Sequence, residues 1–378
     1  MKILYTNFHP RNGGGHATYV ANLAGCLQGE HEIVVATPAS SRLYAQVSQI
    51  AGVRAISAAF STRPAPMLVE VARLRSLLRL EAFDVVHVNG SADHRQVMLA
   101  CLGLVRRPRI VFTKHNTMPL NSLGNRLRAR LGTDGVIGVS DFVSRLLRQS
   151  PYACVPIQTI RHGVDTDRFR PRDAAWVRAQ RHALLGDLPP GVLVLASVGG
   201  TDRDKGWLYL ARALVALAPE EQARFRVLVA GDPLRGRLLE DFQALGLAHC
   251  VLFPGLVSDP ERILALADAG FVLSDHEACS FAACESLATG LPTLVSTAGG
   301  LPEVVRDGAD GWVVPTGDVA ALKAWLLQRL QAPLPESMGL AARARALDSF
   351  SMPVFARNTL GFYHRLAPGV QVARRAAS

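Results

Sequence analysis

Ala269-Gly270-Phe271-Val272-Leu273-Ser274 runs directly into Asp275-His276-Glu277-Ala278-Cys279-Ser280-Phe281-Ala282-Ala283-Cys284-Glu285. The first six residues are a short, nearly continuous apolar run, as expected of a strand covered on both faces. Ser280 is a good N-cap for a helix opening at Phe281. Strand, loop, helix is the repeating unit of a parallel sheet, and it recurs in both directions. Residues 192–198, 225–230, 251–253 and 293–296 read as strands, with helices at 206–217 and 235–245. The first half repeats the pattern. Strands are expected at 2–6, 32–36, 84–88, 109–113, 135–139 and 155–160. Helices are expected at 17–27, 67–80 and, behind Ser140, at 141–148. The fold class is therefore α/β, with two doubly wound, Rossmann-like units facing a cleft. A length of 378 residues agrees with two domains. Residues 161–190 read as a charged connector, with breakers at 151–156 and 187–190, and a tail helix is expected at 353–366.

Charged residues make up 19% and hydrophobic residues 49%, which excludes a disordered chain. The N-terminus reads as a strand rather than a signal peptide, and no apolar run is long enough to span a bilayer, so a cytoplasmic protein is expected. The six cysteines form no CxxC and are expected to be reduced and mostly buried. Residues 1–180 carry 23 basic and 11 acidic residues, and the remainder 18 and 20. The whole excess of +10 therefore lies in the first half. It suits an anionic membrane face or a phosphorylated glycolipid, or is simply solvated arginine in a chain with 37 Arg and 4 Lys. No nucleic-acid motif accompanies it.

Three loops could carry chemistry. Asn12-Gly13-Gly14-Gly15-His16 is a glycine-rich βα turn that lets backbone N–H groups approach an anion, or a purely structural tight turn. It is neither GxGxxG nor a Walker loop. Around Ser280, Phe281, Ala282 and Ala283 the free N–H groups of a helix start could hold phosphate. Glu277 and Glu285 flank that start and could accept bonds from sugar and ribose hydroxyls; alternatively Glu277 caps and Glu285 pairs with an arginine. In Gly199-Gly200-Thr201-Asp202-Arg203-Asp204-Lys205-Gly206, Arg203 and Lys205 could neutralise a diphosphate leaving group. Asp202 and Asp204 read as charge balance for these cations rather than a metal site, and no metal or other cofactor is expected.

Taken in order, these pieces resemble the family-four retaining glycosyltransferases with the GT-B fold, over nearly the whole chain. The resemblance includes Gly14-Gly15, Thr113-Lys114-His115-Asn116, Ile160-Arg161-His162-Gly163-Val164-Asp165 and Lys205-Gly206. It continues through Ala230-Gly231-Asp232, Phe253-Pro254-Gly255, Glu277-x7-Glu285 and Ala298-Gly299-Gly300-Leu301-Pro302-Glu303. It implies an acceptor domain at 1–170, completed by a crossover helix within 352–378, and a nucleotide-sugar domain at 171–351. By the same resemblance Glu285 holds the ribose, Glu277 the donor sugar, and Lys205 with Arg203 the diphosphate. Gly14 and Gly15 approach the donor, as do Ser280, Phe281, Ala282 and Ala283, and His115 touches the transferred sugar. His115 read on its own could equally be a satisfied strand-end histidine. The family's arginine after the loop glycine is Gly200 here, and Arg203 is expected to stand in for it. His162 replaces an asparagine, and Ala278-Cys279-Ser280 replaces Gly-x-Gly.

The expected activity is retaining, metal-independent transfer from a nucleotide-diphosphate sugar, a UDP-hexose, to a saccharide or glycolipid. The lipopolysaccharide core is the example, with the enzyme peripheral at the cytoplasmic face of the membrane. An epimerase of the same fold and a nucleotide-sugar-binding relative without transfer activity are the rival readings.

Overall fold

The computed structural model describes residues 1–10 and 14–368; Asn12 and Gly13 of the first loop and residues 369–378 lie outside it. The chain divides into two compact units. Unit 1 comprises Met1–Gly163 and the segment from Met352, and unit 2 comprises Val164–Ser351. Residues 164–170 thus belong to the second unit.

Unit 1 is built on a parallel sheet of seven strands: β1 (Lys2–Thr6), β2 (Glu32–Thr37), β3 (Val53–Ser57), β4 (Val85–Val88), β5 (Arg109–Lys114), β6 (Gly135–Gly138) and β7 (Ile157–Thr159). Their order is β3-β2-β1-β4-β5-β6-β7. Helix Met352–Leu366 packs on helix Gly14–Leu27 within this unit. The Tyr363 hydroxyl lies 2.5 Å from His87 Nδ1, and Phe355 sits edge-on to Tyr19. A Cβ on Gly163 would stand 2.5 Å from the Phe355 ring, so only glycine admits that helix so closely.

Unit 2 holds six parallel strands: β8 (Leu193–Ser197), β9 (Phe225–Ala230), β10 (Val251–Gly255), β11 (Ala269–Val272), β12 (Thr293–Ser296) and β13 (Gly311–Val314). Their order is β10-β9-β8-β11-β12-β13. Successive side chains enter opposite cores. Val194, Leu228, Val272 and Val295 join one, and Leu195, Val227, Phe271 and Leu294 the other. Burial on both faces is why these strands read as unbroken apolar runs. The expected connector 161–190 is not uniformly irregular: it contains helix Ala174–Leu185, N-capped by Asp173, whose carboxylate accepts from the N–H groups of Ala175 and Trp176.

In each sheet the strand order reverses once, between β1 and β4 and between β8 and β11. Such a switch point opens a crevice beyond the carboxyl ends of the strands, and open α/β sheets bind ligands there.

Candidate functional site

In unit 2 the switch point is flanked by the loop after β8 and the loop after β11. The first loop is seated by glycines. A Cβ on Gly231 would lie 2.6 Å from the Thr201 amide nitrogen, and one on Gly206 (φ +72°) would lie 1.8 Å from the Leu273 carbonyl oxygen. Thr201 Oγ1 donates to the Asp232 carbonyl (2.5 Å), and Trp207 Nε1 donates to the Thr201 carbonyl (2.8 Å). The Asp275 amide donates to the Asp204 carbonyl at 2.8 Å, which ties the two loops together.

Ser280 caps helix Phe281–Ala288: its Oγ accepts from the Ala283 amide at 3.2 Å. Ala282 lies beside Gly199, where an added Cβ would stand 3.7 Å from the Ala282 methyl. The helix start therefore faces the loop after β8. Phe281 and Glu285 are half-buried, and Ala282 and Ala283 are buried. Lys205 Nζ stands 3.8 Å from Glu277 Oε2, both half-buried. The Glu277 carbonyl accepts from the Gly300 amide at 3.0 Å, and Gly299 (φ +54°) leaves room for it. A cation, a helix N-terminus and carboxylates thus converge at one sheet edge. Together they can bind an anion and accept bonds from hydroxyls.

Arg203 takes no part in that convergence as expected of a stand-in. Its Nη1 pairs with Asp241 on helix Arg237–Gln243 at 2.9 Å. Gly200 has φ +100°, a conformation that disfavours the arginine the family resemblance leads one to expect there.

In unit 1, Gly14 and Gly15 are exposed at the start of helix Gly14–Leu27, beyond β1. The residues past β1, β4 and β5 enclose a cavity of about 390 Å³ whose lining includes His9, His16, Asn89, Lys114, His115 and Arg128. Asn89 Nδ2 donates to the Thr6 carbonyl at 3.0 Å, which leaves Oδ1 to accept from His115 Nε2 at 2.9 Å. The network assigns the proton of His115 to Nε2 and a lone pair to Nδ1. That Nδ1 is buried and has no partner among the described residues. Burial, with the neighbouring imidazoles of His16 and His162, holds the His115 pKa well below the usual range. Burial likewise lowers His16 to about 4. Its ring lies 4.3 Å from that of His115. Lys114 is 4% exposed and donates to Asn116 Oδ1 (2.5 Å) and the Met118 carbonyl (2.7 Å). Burial pulls its pKa down to about 8. The sequence reading gave a role in this group to His115 alone; His16 and Lys114 stood only within quoted motifs, and His9 and Asn89 escaped notice. Each stands at or past the end of a strand at or beside the switch point, and that position was the available signal.

Among the described residues no group of three His, Cys, Asp or Glu side chains is placed to hold a metal, and no helix is long and apolar enough to cross a membrane.

Residues 13–168 match the family described as Glycosyltransferase Family 4, and residues 192–332 match Glycosyl transferases group 1. A relative from Mycolicibacterium smegmatis, a GDP-mannose-dependent alpha-(1-6)-phosphatidylinositol monomannoside mannosyltransferase, is 30% identical over 92% of this chain and 94% of its own. The chain belongs to the family-four glycosyltransferases. The fold of this glycosyltransferase agrees with solved GT-B structures. A glycosyltransferase from Rickettsia africae superposes with a TM-score of 0.82 at 20% identity, covering 97% of this chain and 98% of that one. Anabaena HepE in complex with UDP and glucose gives 0.79 at 18% identity, covering 96% and 99%.

Proposed function

We propose that this glycosyltransferase moves a hexosyl group from a nucleotide-diphosphate sugar to a hydroxyl of a phosphorylated glycolipid or saccharide, with retention and without a metal. The observation that carries the reading is the convergence in unit 2 of Lys205, Glu277, Glu285 and the helix start at Ser280–Ala283 beside the switch point. Lys205 and the helix N-terminus stabilise the diphosphate as charge develops on it. Glu285 binds the ribose and Glu277 the sugar. The acceptor oxygen bonds to the anomeric carbon on the face from which the diphosphate oxygen departs. That oxygen takes the electrons of the broken bond, and the departing phosphate receives the acceptor proton. The unit 1 cavity offers the acceptor neutral imidazoles and amides for hydroxyls, and Lys114 and Arg128 for a phosphate.

UDP is the nucleotide expected with the family resemblance. HepE was solved with UDP and glucose, whereas the mycobacterial relative, similar over a greater identity, is named for GDP-mannose. The donor test therefore includes both. A thermal-shift panel of UDP-, GDP-, ADP- and CMP-sugars, with and without magnesium, should give a metal-independent hit. A donor at 100 times its Kd stabilises by about 2.7 kcal/mol. Glu285→Ala should weaken that donor by roughly ten- to a hundredfold, the loss of one charge-assisted hydrogen bond. No shift with any donor would overturn the reading. The outward pairing of Arg203 with Asp241 favours, as a second reading, a nucleotide-sugar binder without transfer. A donor shift with no product on any glycolipid or saccharide acceptor would select it.

A further inference from the structure

Helix Leu123–Leu131 is amphipathic in the wrong sense for a free surface. It buries Asn125 and Ala129 and exposes Leu123, Leu127 and Leu131, which are 71%, 46% and 49% accessible. Leucines four residues apart share one helix face. That face is not a frayed end. The Ser122 hydroxyl accepts from the Asn125 amide at 3.3 Å, and the Asn125 side chain donates back to it at 3.0 Å. At the other end the Arg128 carbonyl accepts from the Gly132 amide (2.9 Å) and from Thr133 Oγ1 (2.8 Å). His94 Nε2 fixes the Gly132 carbonyl at 2.9 Å. The helix is held with its leucines outward.

Two further features say what covers them. Arg126 and Arg130 are exposed on the same side of the helix, and neither has an acidic partner among the described residues. They border a surface cavity of about 400 Å³ closed by Gln149, Ser150 and Pro151, with room for a phosphate headgroup. The opposite face of the helix supplies Asn125 and Arg128 to the lining of the 390 Å³ cavity that contains His115. Met118, on the rim of that cavity, is 67% exposed.

We propose that helix Leu123–Leu131 is a bilayer-docking element for an anionic phospholipid surface, with its leucines in the interface and Arg126 and Arg130 on lipid phosphates. The placement deepens the glycolipid reading and rests on it in one respect: the helix separates the bilayer from the cavity that would take the acceptor's polar head.

The test is co-sedimentation of the full-length protein with vesicles of phosphatidylcholine alone or with phosphatidylglycerol, at low and high salt. Binding should require phosphatidylglycerol and fall with salt. Arg126→Gln with Arg130→Gln should weaken it roughly thirtyfold, about fivefold per arginine. Leu123→Gln with Leu127→Gln should weaken it roughly tenfold or more, by removing the inserted apolar surface. Leu340→Gln, a 67% exposed leucine in unit 2, should change nothing. Both double variants should keep the wild-type melting temperature and donor shift. Equal binding to neutral vesicles, or unchanged binding by the double variants, overturns the proposal. So does a dimer, seen by size-exclusion chromatography, that the leucine variants dissociate while vesicle binding stays the same. A failed donor panel would sink the transferase reading and leave the vesicle result standing.

Discussion

Replacing Gly206 by alanine tests how the loop after β8 in unit 2 is held. Gly206 has φ +72°, where an L side chain costs about 1–2 kcal/mol. The new Cβ would stand 1.8 Å from the Leu273 carbonyl oxygen and 2.5 Å from its carbon. Both are backbone atoms at the end of β11, so no rotamer relieves the contact. The loop and the strand end must separate by more than 1 Å, an overpacking cost of about 1–3 kcal/mol. The two terms together come to roughly 3 kcal/mol. Unit 2 spans Val164–Ser351, and a unit of that size loses about 2–4 °C per kcal/mol, so a fall of roughly 6–12 °C is expected. All four tryptophans, at 176, 207, 312 and 325, lie in unit 2, and Trp207 adjoins the substitution, so intrinsic fluorescence follows the correct unit. Gly200→Ala is the control. Its φ is +100°, but the nearest atoms to an added Cβ are 4.0 Å away, so only the backbone term remains. Because Lys205 precedes Gly206, donor affinity should also fall in Gly206→Ala. A melting temperature for Gly206→Ala at or above that of Gly200→Ala would refute the close packing of this loop on Leu273.

Acid should unfold unit 1 first. Burial lowers the pKa of His87 and His94 to about 3, whereas the unfolded chain protonates near 6.5, so stability is lost as pH falls through that window. Asp93, raised to about 6 by burial, opposes this between about 4 and 6. With His16 and His115, which burial also holds low, four histidines less one aspartate leave about three protons, about 4 kcal/mol per pH unit near pH 5. Circular dichroism should therefore change at a higher pH than tryptophan fluorescence; coincident transitions, or a fluorescence change first, would count against it. Ser280→Ala removes the cap of helix Phe281–Ala288 and should cost about 1 kcal/mol together with donor affinity, read by melting and calorimetry. Asn89→Ala deprives His115 Nε2 of its acceptor and should lower transfer with donor affinity unchanged; an equal loss of donor affinity would remove His115 from the acceptor side.

Most strands were legible because each enters two cores at once. Phe225–Ala230 and Thr293–Ser296 were read to the residue. Val53–Ser57 was missed because it is an edge strand, next to β2 alone, with Arg54 as its second residue and side chains only half-buried or exposed. Gly311–Val314 escaped for the same edge position on the second sheet. Helix Ser91–Cys101 hid behind buried polar residues: Asp93, His94 and Gln96 are all fully buried, and hydrophobic periodicity cannot announce such a face. Helix Leu123–Leu131 was not anticipated because its leucines point away from the body. The Ser280 cap was foreseen from residue type and position. The pairing of Arg203 with Asp241 was not, because it joins residues far apart in sequence on separate elements.

One topology has produced two sites of opposite character, and the residues just past the strand ends decide which is which. Past β8 and β11 stand a lysine, carboxylates and a capped helix start, fixed charges and dipoles suited to a diphosphate. Past β1, β4 and β5 stand amides and imidazoles, the imidazoles kept neutral by burial. A neutral imidazole with its proton committed to Asn89 can only accept at Nδ1, and a sugar hydroxyl is a donor. A protonated His115 would lose that capacity and carry an unpaired buried charge, and burial first, then the neighbouring imidazoles, hold its pKa low. The same neutrality leaves the basic surplus of the first half on its exterior, where Arg126 and Arg130 face solvent beside the outward leucines. On the reading proposed above one helix then serves two tasks, with Asn125 and Arg128 lining the acceptor cavity and Arg126 and Arg130 facing lipid phosphates outside.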